Sequence, residues 1–126
     1  MRVRTGIDIV AISDVVATTE NDTAMLDECW SEDERRASEG RSDRRAGQWA
    51  AKEAVMKVLQ TGIGKLSPGD IEIVNRDGMA PRVVLHGRAL EVARRLGADE
   101  ISLSITHERG MAAAVAVALI QDANHG

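Results

Sequence analysis

The sequence contains no phenylalanine and no tyrosine, and its large aromatic side chains are Trp30 and Trp49 alone. A core of ordinary packing density must therefore be filled by Ala, Val, Ile, Leu and Met. Little aromatic surface, a net charge of -4 and no long basic run argue against nucleic acid as a partner. One cysteine, Cys29, excludes an intrachain disulfide and any multi-cysteine metal site. The longest apolar run, Met111 to Ile120, is too short to span a bilayer. Arg2, Arg4 and Asp8 interrupt the start, so no signal peptide is expected. These absences fit a soluble, reducing, cytoplasmic setting with no membrane partner. What remains is 126 residues, 44% of them apolar, which suits one globular domain over residues 1–126.

Residues 2–10 alternate polar with apolar and read as a strand, with Asp8 near its end. Gly6 lets that strand pass close to another backbone. Weak helices are expected over 12–19 and 23–29. Ser31 followed three residues later by Glu34 is a capping box, opening a helix to about Ser38. Ser42 or Asp43 then caps a long helix that runs to about Gln60, where Gly62 serves as a left-handed stop. Strands at 70–74 and 81–85 flank the turn Asn75-Arg76-Asp77-Gly78. A helix over 87–96 ends at Gly97. Strands over 100–106 and 111–120 flank Arg109-Gly110.

The long helix carries the chemistry. Trp49, Glu53 and Lys57 are spaced by four and share a face, while Ala51, Val55, Val58 and Leu59, with Ala54 beside them, form a stripe to bury. Alone, Glu53 and Lys57 would be a solvated helix pair worth a few tenths of a kcal/mol. Alone, Asp8 would be a turn or cap residue and His107 an exposed loop histidine. Together they form a different set. Two carboxylates without a cysteine or histidine pair suit Mg²⁺, which prefers oxygen ligands and completes its shell with water and substrate phosphates. Lysine and histidine add positive charge for further phosphate oxygens. The set fits phosphoryl transfer without a P-loop, for Gly62, Gly64 and Lys65 lack P-loop spacing. His86 and His125 read as surface residues.

In order and spacing, Gly6-Ile7-Asp8-Ile9-Val10, Trp49 through Lys57, Thr61-Gly62-Ile63-Gly64, Asp70-Ile71-Glu72-Ile73, Gly78 to Pro81, and Leu103 through His107 resemble the motifs of the holo-acyl-carrier-protein synthases, the small 4′-phosphopantetheinyl transferases. The likeness spans nearly the whole chain. It implies an α+β fold, a small antiparallel sheet packed on the long central helix, and a homotrimer with each active site between neighbouring subunits. It implies transfer of 4′-phosphopantetheine from coenzyme A to a serine of an apo carrier protein, releasing 3′,5′-ADP. Carried over by position, Asp8 and Glu53 would bind Mg²⁺, and Lys57 would contact the pyrophosphate. The loop at Gly62 would meet the nucleotide, and Thr106 and His107 the 3′-phosphate. Glu53, or a water held by the ion, would take the serine proton. Val10 stands where the larger pseudo-dimeric transferases have a third acidic ligand, which points to the trimeric class.

Two positions depart from the family pattern. Gln60 replaces a usual glycine at the end of the long helix. The first helix, usually basic and docked on an acidic carrier helix, here holds Ser13, Asp14, Glu20 and Asp22, with no Lys or Arg between Arg4 and Arg35. This implies a dedicated, less acidic carrier of the kind used in polyketide or peptide natural-product synthesis, or docking through Arg35, Arg36, Arg41, Arg44 and Arg45. A non-catalytic coenzyme-binding module would keep the same motifs; a plain scaffold would not need the two carboxylates.

Overall fold

The computed structural model describes residues 1–60, 66–76 and 78–121, the side chain of Asp99 excepted. The elements run β1 (Arg2–Ala11), α1 (Ile12–Asn21), α2 (Thr23–Cys29), α3 (Glu32–Ala37), α4 (Ser42–Val58), a 3-10 turn (Pro68–Asp70), β2 (Ile71–Val74), β3 (Arg82–Leu85), α5 (Gly87–Leu96), β4 (Ala98–Glu108) and β5 (Met111–Ile120). The expected α+β class holds. β1, β5 and β4 form an antiparallel sheet in that order, and β2 and β3 pair as a separate two-stranded sheet. Gly62, Asp77 and His125, on which sequence readings fell, lie outside the described residues.

Local chemistry sets most boundaries. Asp22 caps α2 by accepting from the Met25 N–H at 2.9 Å. The capping box of α3 is complete: Glu34 N–H donates to Ser31 Oγ at 3.1 Å, and Ser31 N–H donates to the Glu34 carboxylate at 2.8 Å. Gly97, left-handed with φ 74°, ends α5. The reading of the α4 start is corrected. Neither Ser42 nor Asp43 is its N-cap: Arg41 holds that place without a side-chain cap, and Asp43 stands in the first turn. A carboxylate there still complements the positive end of the helix dipole. The helix also stops at Val58, short of Gln60.

The core is alanine against alanine. Ala46, Ala50, Ala51 and Ala54 of α4 are fully buried, and Ala112, Ala114, Ala116 and Ala118 of β5 are buried opposite them. Val55, Val58, Leu59, Ile71 and Ile73 fill the space beneath the hairpin, each contributing roughly 1.5–3 kcal/mol on burial. Small residues let the helix lie close to the sheet. Gly6 marks the closest approach: a Cβ there would stand 2.0 Å from the Ala54 carbonyl oxygen. Trp30 and Trp49 stack at 5.2 Å between centroids beside Val15 and Cys29, forming a second apolar cluster.

The other face of the three-stranded sheet is bare. Alternation turns Val3, Ile7 and Ile9 of β1 away from α4, in register with Leu119, Val115 and Ala113 of β5. Ile7 is 66% exposed and Ile9 63%.

Candidate active site

β1 and α4 bring Asp8 and Lys57 together. Gly6 permits the contact, and the alternation that turns Ile7 and Ile9 outward turns Asp8 toward the helix. Lys57 Nζ donates to the Ile7 carbonyl at 2.6 Å and stands 3.5 Å from Asp8 Oδ1. The ammonium is half exposed and the Asp8 side chain 20% exposed, so both are reachable from solvent. Glu53 is half-buried one turn before Lys57 on α4, where side chains four apart are neighbours. Among the described residues no group of three or more His, Cys, Asp or Glu converges as a metal cage. Two carboxylates are nonetheless what Mg²⁺ uses when substrate oxygens complete its shell.

The same face of α4 continues past Glu53 to Trp49, where a cleft of about 310 Å³ opens between β1, α1 and the tryptophan pair. Ile9, Val10, Asp14, Val15 and Met25 line it. Thr18 and Thr19 join its wall, so the recess is mixed in character, and it lies on the same side of α4 as Trp49.

Thr106 and His107 lie elsewhere. They follow one another on β4 and so sit on opposite faces of the strand, Thr106 on the bare face in register with Ala113. His107 Nε2 stands 3.2 Å from Asp43 Oδ2. Asp43 lies ten residues before Glu53 on α4, about 15 Å along the axis. Within one chain His107 is thus remote from the Asp8–Lys57 contact. Sequence reasoning missed Asp43 as the partner of His107. A hydrogen bond from Arg41, then the Arg44 backbone N–H and the charges of Arg41 and His107, hold its carboxyl below the ordinary range against slight desolvation.

A second polar group was also missed, and it is wholly inside. Lys52 is fully buried, its Nζ 2.9 Å from the Glu34 carboxylate and donating to the carbonyls of Pro68 at 3.0 Å and Ile71 at 2.6 Å. Glu34 accepts in addition from the Ile73 N–H at 2.7 Å. Burial pushes the Lys52 ammonium down from its ordinary range, and the charge and hydrogen bond of Glu34 oppose that. The only available signal was Glu34, already claimed by its capping box. Cys29 is buried, and desolvation raises its thiol pKa, which leaves it inert as a nucleophile.

Arginines of this region are engaged by nearby acids. Arg35 pairs with Asp27, Arg36 with Glu32 at 3.1 Å and Asp33 at 3.2 Å, and Arg41 with Asp43 at 3.4 Å. Three of the five arginines considered for docking are thus held by local acids. Glu34 belongs to the interior. No described helix is long and apolar enough to cross a membrane.

Residues 4–117 match the model of the 4′-phosphopantetheinyl transferase superfamily. The chain is 37% identical to the holo-[acyl-carrier-protein] synthase of Caldanaerobacter subterraneus subsp. tengcongensis over 122 residues, covering 94% of this chain and 96% of that one. It is 53% identical to the synthase of Moorella thermoacetica over 72 residues, a stretch covering 57% of this chain and 56% of that relative. The crystal structure of the Helicobacter pylori synthase, in complex with coenzyme A, superposes with a TM-score of 0.79 at 35% identity, covering 91% of this chain and 99% of that one. With the family model spanning most of its length and a relative matched end to end, this chain belongs to the holo-acyl-carrier-protein synthase family of 4′-phosphopantetheinyl transferases.

Proposed function

We propose that this protein transfers 4′-phosphopantetheine from coenzyme A to a serine of an apo carrier protein, and that residues 1–126 form one transferase domain. The observation that carries the reading is the half-exposed Lys57 ammonium held against β1 beside Asp8, one turn from Glu53. Relatives are named for this activity, and the Helicobacter pylori structure contains coenzyme A. The carrier serine Oγ forms a bond to the β-phosphorus of coenzyme A. The bond from that phosphorus to the bridging oxygen breaks, and 3′,5′-ADP departs with the oxygen. Asp8 and Glu53 fit Mg²⁺, which when bound would neutralise charge on the pyrophosphate. Lys57 would put a fixed positive charge beside the same oxygens, favouring the transition state, in which negative charge builds toward the departing oxygen, over the ground state. Glu53 is the chain's own carboxylate within the site to accept the serine proton.

The reading extends to assembly. A sheet face bearing exposed Val3, Ile7, Ile9 and Leu119 calls for cover in an antiparallel architecture. A homotrimer that buries this face would carry the remote Thr106 and His107 of one subunit toward the Asp8–Lys57 site of its neighbour, where they would meet the 3′-phosphate together with Gly62. The setting is cytoplasmic, where coenzyme A and its carriers meet. On the carrier side, the acids of α1–α3 and the engagement of Arg35, Arg36 and Arg41 favour a carrier with a less acidic docking helix. The test is direct. The protein is incubated with coenzyme A, Mg²⁺ and a panel of apo carriers of graded charge, and the carriers are weighed. A phosphopantetheinyl mass gain is the expected result; coenzyme A binding with no gain on any carrier would point instead to a binding module.

A further inference from the structure

We propose that Gln48, Lys52 and Glu34 are positioning residues that fix the rotation of α4, and so the aim of Trp49, Glu53 and Lys57. The inference rests on the transferase reading for its meaning, but not for its first measurement.

The alanine part of the helix–sheet seam constrains that rotation weakly, leaving the larger Val55 and Val58, with Leu59 at the C-cap, to do so only at the C-terminal end of α4. Across the seam, Ala46, Ala50, Ala51 and Ala54 face Ala112, Ala114, Ala116 and Ala118, with Gly6 and Gly47 at the nearest approaches. Packing fixes orientation when long side chains seat as knobs in holes. A methyl-on-methyl surface is nearly smooth, so a small turn of the helix costs few contacts. A residue turned by a small angle moves its side-chain tip far, and Lys57 holds the Ile7 carbonyl at only 2.6 Å.

What the seam lacks, a polar stripe supplies. Gln48 and Lys52 are one turn apart on α4, and both are buried. Gln48 Oε1 accepts from Trp30 Nε1 at 3.0 Å, and its Nε2 donates to the Glu34 carbonyl at 3.0 Å. All three ammonium protons of Lys52 are used, on Glu34, Pro68 and Ile71. Glu34 is fixed in turn by the Ser31 and Ile73 N–H groups. These bonds are directional, and they reach from α4 to α3, the 3-10 turn and β2. Each residue of the stripe immediately precedes one on the functional face: Gln48 before Trp49, Lys52 before Glu53. Adjacent residues on a helix are about 100° apart, so holding one stripe sets the other.

Trp49 makes the claim measurable without any assay of activity. It stacks on Trp30 at 5.2 Å and 21°, and the chain has no Phe or Tyr to mask the pair. Stacked indoles give a coupled circular-dichroism band that reports α4 against Trp30, the residue that follows α2. The variants are Glu34→Gln/Lys52→Met, which removes both charges together, and Gln48→Met, which loses two neutral hydrogen bonds at similar volume and keeps the fold should the first variant fail. Both are studied well below their melting temperatures, so that every rate is per folded chain. The expected result is a weakened tryptophan band and a kcat lower by about tenfold or more, with the KM for carrier little changed. A purely stabilising role would lower Tm alone. A folded variant that keeps both band and kcat within about twofold of the parent overturns the proposal, as does a low kcat with the band intact. If the parent chain itself transfers nothing, the transferase reading fails, while the tryptophan band still decides the positioning claim.

Discussion

Adding one methyl group at Gly6 tests how the site is built. In Gly6→Ala the new Cβ would stand 2.0 Å from the Ala54 carbonyl oxygen and 3.0 Å from both the Ala54 carbonyl carbon and Lys57 Cβ. The first of these contacts is backbone, so no side chain can swing away. Restoring ordinary contact at 3.4 Å requires a retreat of about 1.4 Å between β1 and α4. Ten register pairs with β5 prevent the strand from bulging alone, so the strain spreads into the sheet. The Lys57–Ile7 bond, 2.6 Å at present, would stretch beyond hydrogen-bonding range. Overpacking of this severity costs about 3 kcal/mol. For a chain of this length that lowers Tm by roughly 10 °C. A displacement of about 1 Å at reacting groups costs on the order of 100-fold in rate. Thermal denaturation by circular dichroism and the carrier mass assay read the two effects separately. A Gly6→Ala protein that melts within about 2 °C of the parent and transfers at a similar rate would show that this approach does not hold Asp8 in place.

Four further outcomes are expected. Asp8→Asn and Glu53→Gln should each lower transfer about 100-fold at limiting Mg²⁺ and weaken Mg²⁺ uptake by the coenzyme A complex in calorimetry; unchanged values would remove them from the metal site. Inactive His107→Ala and inactive Glu53→Gln chains refolded together should regain partial activity if the two residues meet across an interface, and proven mixed trimers without recovery would refute that. Glu72 is held below its ordinary 4.5 chiefly by the hydrogen bond from His86, and also by Ser31 and nearby charge, against slight desolvation. Because the folded value is the lower one, its stabilisation is present above pH 4.5 and lost as pH falls through the folded value. The stability gap to Glu72→Gln should therefore be open near neutrality and close in acid, and a gap that widens in acid would contradict the assignment. Finally, kcat/KM measured across a salt series should favour a less acidic carrier over a fatty-acid-type one, and Ser13→Lys/Asp14→Arg should narrow the difference; a strong preference for the acidic carrier that salt abolishes would show conventional charge-matched docking.

Features that are local in the chain were legible in it. The capping box at Ser31, the stop at Gly97, the need for glycine at position 6 and the stripe of Ala51, Val55, Val58 and Leu59 each follow from a few neighbouring residues, and each is present in the structure. The order of strands and helices was likewise readable from hydrophobic period. What was not legible depends on distant partners. Lys52 carries no local signal of burial, because its partner Glu34 is 18 residues away and the carbonyls it binds have no sequence signature. Asp43 reads as a helix cap, although it meets His107 across the fold. The arginines read as a free basic surface, whereas their acids sit within a turn or two and hold them. Asp8 and Lys57 could be matched to motifs, but their meeting depends on how closely a glycine strand can approach a helix.

That approach links the site to assembly through the simplest property of a strand. Successive side chains of β1 point to opposite faces. Gly6 and Asp8 face α4, where the first admits the helix and the second meets Lys57. Ile7 and Ile9 face away and are left exposed in a single chain. The residue between these two isoleucines is Asp8 itself, while the carbonyl of Ile7 accepts the Lys57 ammonium. Whatever covers Ile7 and Ile9 therefore presses on the backbone that holds both Lys57 and Asp8, and a one-residue slip of β1 would exchange the two faces entirely. Catalytic and interface demands thus fall on alternate residues of one strand. The alanine seam behind it yields easily, so the strand's position must be set by the register with β5 on one side and by the polar anchors of α4 on the other.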